Sequence, residues 1–136
     1  MTKMKLMFVL SSDSDFDTDY VTKKVGTLPT SVVRKNDPNS SPPYRDFTEW
    51  VVSTDYIFDD SVAPLLSQLR QKIVCSPHTL RELSDECNAD WYIVFDGYTY
   101  SGNAPFVYFS DEFVDFCAEI QAKVMFNFDI SCDYCN

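Results

Sequence analysis

Alternation of apolar and polar residues predicts most of the strands in this chain. In residues 3–12, apolar side chains recur at every second position on one face, as in a partly buried strand. Residues 91–95 form a short run of aromatic and β-branched side chains, which is typical of a central strand. On similar grounds, further strands are expected at 31–35, 44–57, 106–109 and 125–130.

Apolar residues at helical spacing, each set preceded by a capping residue, predict four helices. Asp17 or Thr18 caps a short helix at 19–25, and Gly26 ends it because glycine accepts the left-handed conformation of a helix C-terminus. The other three helices are expected after the capping oxygens of 59–61, at 77–87 behind Ser76, and after Ser110.

The order of these elements predicts a single α+β domain over 1–136, with a mainly antiparallel sheet of about five or six strands. About three or four helices pack on that sheet. Turns at 96–97 and 101–103 would pair 106–109 antiparallel with 91–95. The turn formers of 36–43 indicate an exposed loop, and residues 131–136 are expected to form a loose tail. The expected core is Leu6, Phe8, Leu10, Trp50, Val52, Leu66, Leu69, Ile93, Phe95, Phe113, Phe116 and Ile120.

The composition supports one hydrophobic core and narrows the classes of function. The chain has 136 residues, 45% of them apolar, and a net charge of −10. That charge repels phosphate groups, so nucleic acids and anionic membranes are not expected partners. No apolar run approaches the roughly 18 residues of a spanning helix. The apolar stretch 6–10 is shorter than the core of a signal peptide, so the expected location is cytoplasmic.

Several segments together resemble a bacterial family called domain of unknown function 4279. They are the first strand with its acidic end, Val25-Gly26, Leu28-Pro29-Thr30, the Trp50 strand, Leu65-Leu66-x-x-Leu69, and Pro105 to Ser110 followed by Glu112-Phe113. The resemblance covers nearly the whole chain and implies the fold and a bacterial origin, but it transfers no activity and no catalytic residue. Small bacterial proteins of this kind include many immunity proteins of toxin systems. This link is an analogy with a class of proteins and does not follow from any residue of the chain.

The alternating aspartates from Asp13 to Asp19 are the feature most like a metal site. Calcium loops present oxygens in this way, but they need glycine at the sixth position and a bidentate glutamate at the twelfth. Here Thr18 and Lys24 occupy those positions. The expected role of the run is therefore a solvated connection whose acids favour the N-terminus of the next helix.

The cysteines and the single histidine give little support for catalysis or a cofactor. Five cysteines are an odd number in a chain without an export signal, which argues against a disulfide framework. Cys132 and Cys135 have the spacing of a redox or zinc half-site but lie in the expected tail, and zinc would need further ligands. His78 is the only imidazole, and three glycines leave no phosphate-binding loop. We expect no metal, no cofactor and no catalytic residue.

Negative charge is concentrated in the last part of the chain. Residues 1–84 carry ten basic and eleven acidic side chains, whereas 85–136 carry one base and ten acids. Asp111, Asp115 and Glu119 follow one another at i,i+4 spacing on the last predicted helix, a like-charge arrangement that costs a few tenths of a kcal/mol per pair. Two interpretations remain open, a surface that promotes solubility or one that attracts a basic partner.

Tyrosines beside carboxylates suggest a second part of a binding surface. Tyr98 and Tyr100 lie next to Asp96 in the predicted turn region, and such residues are common at interface centres. The resulting hypothesis is a non-catalytic cytoplasmic binding protein, an immunity or antitoxin-type inhibitor of a basic partner, using these three residues with the acids of the last helix. The alternative is a small-molecule-binding module or a small hydrolase-like enzyme with a pocket over the open sheet face. The partner and the oligomeric state stay undetermined.

Overall fold

A six-stranded sheet with four helices on one face forms the part of the chain that the computed structural model describes, residues 2–35, 37, 46–100 and 105–130. The strands are β1 (Thr2–Ser12), β2 (Ser31–Val33), β3 (Thr48–Ser53), β4 (Ile57–Asp59), β5 (Asp90–Thr99) and β6 (Lys123–Ile130). The helices are α1 (Thr18–Val25), α2 (Ala63–Lys72), α3 (Pro77–Cys87) and α4 (Asp111–Ile120). The expected α+β class and mainly antiparallel sheet are confirmed.

The first strand organises the sheet. The strand order is β2-β3-β1-β5-β6, and β4 also pairs with β1. All pairs are antiparallel except β5 with β6. Because side chains alternate along a strand, Met4, Leu6, Phe8 and Leu10 point to one face, and all four are fully buried beneath the helices.

Aromatic rings fill the centre of the core. Phe8 stacks on Trp91 with ring centroids 4.4 Å apart, and Trp50 meets Trp91 edge-on at 6.1 Å. The indole N–H of Trp91 donates to the carbonyl of Leu80 at 2.7 Å, and that of Trp50 donates to Thr22 Oγ1 at 3.0 Å. Both buried N–H groups are therefore satisfied, and the bonds attach α3 and α1 to the sheet.

Side-chain caps explain where most of the helices begin. Asp17 accepts from the backbone N–H groups at the start of α1, and Ser76 and Ser110 cap α3 and α4 as expected. The start of α2 differs from the expectation, because its N-cap is Val62, which makes no side-chain cap bond. Ser61 Oγ instead accepts the N–H of Ala63 at 3.2 Å.

The predicted strand 44–57 is wrong in extent, since two shorter strands, β3 and β4, occupy its place on the same side of β1. The break lies at Thr54. Its Oγ1 accepts the backbone N–H of Leu6 at 2.9 Å, and its own N–H donates to the carbonyl of Leu6. A side chain thus takes a bond that a continuous ladder would give to the backbone. Residues 44 and 45 lie outside the described residues.

The turn expected at 96–97 and the strand expected at 106–109 are also wrong. β5 continues through both turn residues to Thr99, in register with β1. In 106–109, only an isolated bridge between Phe106 and Ser61 forms within the described residues. On the side of β5 away from β1, the neighbouring strand is β6, and it runs parallel to β5. The helix α4 provides the crossover connection that a parallel pair needs. The turn at 101–103, most of the loop 36–43 and the tail 131–136 lie outside the described residues.

Nine of the twelve residues of the expected core are buried. The exceptions are Leu66, Phe113 and Phe116, which are half-buried and pack against the edge of the core. Trp91 was not in the expected set, yet it is fully buried. These three half-buried side chains all lie at one side of the helix layer, between α2 and α4.

Asp15 links the connection after β1 to the far edge of the sheet. Its carboxylate accepts two hydrogen bonds from the guanidinium of Arg34, at 2.8 and 3.2 Å, and one from Thr48 Oγ1 at 3.1 Å. The bonds from Arg34, with that from Thr48, hold the pKa of Asp15 below its ordinary value. The aspartate therefore has a structural role in this connection.

We predict that Gly97→Ala destabilises the protein more than Gly26→Ala. A Cβ at Gly97 would lie 2.1 Å from the carbonyl oxygen of Lys3, so β1 and β5 would have to separate, at a cost of about 2–3 kcal/mol or more. Gly26 has φ of 79°, but a Cβ there would meet only Val74 Cγ2 at 4.0 Å, an ordinary contact, so alanine there should cost about 1 kcal/mol. Urea unfolding of both variants measures the difference, and equal losses would contradict the close approach of the strands.

We predict that Asp15→Asn lowers stability at neutral pH but not in acid. A carboxyl whose folded pKa is depressed contributes stability above its unfolded pKa, and the contribution is lost as the pH falls through the folded value. Both partners are half-exposed, so the loss at pH 7 should be below about 1 kcal/mol. Urea unfolding at about pH 7 and about pH 3 tests this, with exposed Asp13→Asn as the control. An equal loss of stability in Asp15→Asn at both pH values would contradict the prediction, because the contribution of these bonds would then not depend on the ionisation of Asp15.

Candidate functional site

A groove with a volume of ≈ 700 Å³ separates α2 from α4. Its floor is apolar, with Leu66, Leu69 and Ile73 on the α2 side and Phe113 and Phe116 on the α4 side. The volume is within the range of ligand-binding clefts. The alternative interpretation of the sequence placed a pocket over the open sheet face, whereas this groove lies in the helix layer.

The groove exists because both helices bury only part of their apolar faces. In α2, Leu65 and Leu69 are buried against the sheet, whereas Leu66 is half-buried at the side. In α4, only Ile120 is fully buried, because this helix packs chiefly against α3 and leaves its other flank toward α2 open. Phe116 lies 6.4 Å from the ring of Phe8, so the floor of the groove continues into the core.

Carboxylates form the rim of the groove. Glu112, Asp115 and Glu119 line it and are exposed. Arg70 on α2 forms an ion pair with Glu112 across the groove. Within the described part of the chain, no ion pair involves Asp115 or Glu119. The rim therefore carries two negative charges that no side chain of the described residues neutralises.

The structure keeps the three predicted α4 acids together. Asp111, Asp115 and Glu119, the acidic row, are all exposed on one side of the helix at i,i+4 spacing. Asp111 stands in the first turn, where a carboxylate favours the helix N-terminus. Asp115 and Glu119 continue from there along the groove.

The structure places the other three predicted site residues on the opposite side of the sheet. Phe95 is buried under the helices, so Asp96 and Tyr98 point to the other face, here called the open face. Asp96 accepts a hydrogen bond from Asn127 Nδ2 at 3.0 Å. Tyr100 stacks on Phe58 at 6.5 Å, also on the open face. The six residues therefore belong to two separate surfaces.

Among the described residues, the groove contains one thiol, that of Cys75. Burial raises the pKa of this thiol, so at neutral pH it stays protonated and is a poor nucleophile. His78 lies nearby in sequence, but its Nε2 is 2.8 Å from Glu82 Oε1, one turn along α3, and its side chain is exposed. The geometry offers no hydrogen-bonded pair of nucleophile and base at this position.

The aspartate run after β1 performs the structural roles described above, with Asp17 as the cap of α1 and Asp15 bound to Arg34. Over residues 2–35, 37, 46–100 and 105–130, no three His, Cys, Asp or Glu side chains gather where they could hold a metal ion. In the same residues, no helix is both long and apolar enough to cross a membrane.

The apolar floor and Arg70 were not predicted as site residues. Leu66, Phe113 and Phe116 were assigned to the core, because helical spacing shows which side of a helix is apolar but not how closely the next helix approaches it. The sequence did contain a signal for the position of Asp96 and Tyr98. In residues 91–98 buried side chains recur at every second position, which places Asp96 and Tyr98 on the opposite face of the strand.

The comparisons with known proteins agree with the resemblance found in the sequence. A family model for a domain of unknown function, DUF4279, matches residues 2–133. Neither the curated proteins nor the solved structures contain a significant match to the chain. The family match spans every strand and helix described above. The chain therefore belongs to the DUF4279 family.

Proposed function

We propose that this protein is a non-catalytic cytoplasmic inhibitor of a basic protein, of the immunity or antitoxin type, and that it binds its partner at the groove between α2 and α4. The observation that carries the proposal is the combination of an apolar floor with uncompensated carboxylates on the rim. The partner would present a segment that has both apolar and basic side chains.

The two parts of the groove would contribute differently to binding. Burial of apolar side chains against Leu66, Phe113 and Phe116 supplies affinity, because such contacts remove apolar surface from water. Asp115 and Glu119 would attract the basic partner before contact and favour its correct orientation, which raises the association rate and the specificity.

The like-charge spacing of the acidic row supports a role in binding. Asp111, Asp115 and Glu119 repel one another along α4, at a cost of a few tenths of a kcal/mol per pair. A basic partner would relieve this repulsion on binding. Solubility alone would be served by acids at any exposed position, whereas these three form a continuous row whose last two members border an apolar groove.

The chemistry of the groove favours binding over catalysis. Its lining residues in the described part of the chain include no histidine, and its thiol is held in the protonated form. Ser110 also lies there, but its Oγ already accepts the backbone N–H of Phe113 at 3.2 Å as the cap of α4. The side chains most available to a partner are therefore the carboxylates and the apolar floor.

We predict that reversing both rim charges, with Asp115→Lys and Glu119→Lys together, lowers the association rate at least about tenfold at low ionic strength. High salt should remove most of the difference, because it screens exposed charges. Thermal stability should stay the same or rise slightly, since the repulsion along α4 is relieved. The measurement is association kinetics, at low and high salt, with a basic protein that co-purifies with the chain or is encoded next to it.

A matched control reverses Asp13 and Asp55, which lie in connections away from the groove and give the same change in net charge. It should lower the association rate far less than the rim variant. Ser67→Trp, at an exposed position on the groove, should weaken binding with no change in charge. Equal effects of both charge reversals, or normal binding by Ser67→Trp, would contradict binding at the groove.

A further inference from the structure

The open face of the sheet carries side chains that the proposed function does not use. In the described residues all four helices pack on the other face. The strand registers set Phe58, Lys3, Tyr98 and Asp129 side by side in one row across β4, β1, β5 and β6. The next row along the strands contains Lys5, Asp96 and Asn127.

Large apolar and aromatic side chains on this face are exposed to solvent. The exposed fractions are 57% for Phe58, 41% for Tyr98, 41% for Tyr56, 39% for Tyr100 and 49% for Met125. These residues lie on one face of neighbouring strands or just beyond their ends, and together they are here called the sheet patch. Met125 lies two rows from Tyr98, with Asp96 and Asn127 in the row between them. Clustered exposed apolar side chains mark interaction sites in soluble proteins.

The charges on the sheet patch have opposite signs on its two sides. Lys3 and Lys5 lie on β1, with their ammonium groups 4.8 and 4.9 Å from the ring centre of Tyr56. Asp129 lies on β6, two strands away, or about 10 Å at the usual strand spacing. Within the described residues, neither Lys3 nor Asp129 takes part in an ion pair.

We propose that the sheet patch binds a second copy of this chain, in a two-fold symmetric dimer whose sheets pack face to face. A two-fold axis along β5, between the two sheets, would exchange the β1 and β6 sides of the patch. Because Lys3, Tyr98 and Asp129 are in one row, each Lys3 then lies opposite the Asp129 of the other copy. At these two positions the patch is thus complementary to itself, as a two-fold interface must be.

The same axis places Tyr98 at the centre of the interface. Tyr98 would lie near the axis, with Tyr100 just beyond the end of β5, and side chains of two facing sheets interdigitate at a sheet separation of about 10 Å. Phe58, which stacks on Tyr100, lies two strands from the axis and outside the Lys3–Asp129 pairs. The central tyrosines supply most of the affinity, and the lysine–aspartate pairs fix the register.

Opposite charges in the same rows favour a second copy over a polyanion. Lysines above aromatic rings also suit a nucleic acid, whose bases stack on such rings. Asp96 and Asp129, however, put negative charges into the two rows that contain Lys3 and Lys5. A uniformly negative ligand would meet repulsion there, whereas a rotated copy of the chain sets each Lys3 against an Asp129. Asp96 lies on the axis, so the two Asp96 side chains would face each other, with the Lys5 of each copy in the same row.

The proposed dimer is independent of the proposed function. The groove between α2 and α4 lies in the helix layer, on the far side of the sheet, and would stay accessible in both copies. Loss of dimerisation should leave partner binding at the groove intact. Failure of either proposal therefore does not imply failure of the other.

The test is the mass of the full chain in solution, by sedimentation and light scattering over a range of concentrations. The parent protein should approach twice the chain mass of 15.7 kDa. Lys3→Glu and Asp129→Lys should each raise the dimer dissociation constant at least about tenfold, because each places two pairs of like charges in the interface. The combined variant, K3E with D129K, should restore the dimer.

Lys23→Glu is the matched control, since Lys23 is an exposed lysine of α1 on the helix layer and its reversal changes the net charge equally. It should dimerise as the parent does. Circular dichroism of each variant confirms folding, and the combined variant separates the charge pairing from any lost packing of Lys3. A monomeric parent, single variants that dimerise normally, or a combined variant that stays monomeric would each overturn the proposal.

Discussion

The stacking of Phe8 on Trp91, across the two longest neighbouring strands, is the contact on which the rest of the structure depends. The rings are nearly parallel, 4.4 Å apart and fully buried. Trp50 and Phe116 reach this pair from β3 and α4. Because the indole N–H of Trp91 donates to the backbone carbonyl of Leu80 in α3, the same ring also attaches α3 to the sheet. Loss of this pair would loosen the sheet and the helix layer together.

One-sided burial of this centre accounts for both surfaces of the protein. The helices cover the face of β1 that carries Phe8, so the side chains of the opposite parity, beginning with Lys3, remain on the open face. Within the helix layer, α4 packs against α3, and its flank toward α2 becomes the groove. The two surfaces differ in chemistry, since the groove has negative charge at its rim and the sheet patch has both signs.

Local periodicity predicts the elements of this fold better than it predicts their neighbours. The strand β1 and the helices α1 and α3 follow from spacing and caps alone, because those signals act within about ten residues. The continuation of β5 through Gly97 depends on the close approach of Lys3, which is distant in sequence. The break at Thr54 likewise depends on a bond from Leu6. Such contacts have no local signature.

The candidate site was predictable only in part, for a related reason. Spacing along α4 is sufficient to group Asp111, Asp115 and Glu119. It gives no information on the distance between α2 and α4, so the half-exposed Phe113 was expected in the core. The separation of Tyr98 from the acidic row follows from strand parity, once 91–99 is taken as one strand rather than a strand and a turn.

The central claim is that a basic partner occupies the groove of the helix layer and leaves the open face free. Mapping of NMR chemical-shift changes on addition of the partner tests this claim most directly. The account predicts the largest changes at Leu66, Phe113 and Asp115, around the groove. Largest changes at Phe58 and Tyr98, with the groove signals unmoved, would contradict it.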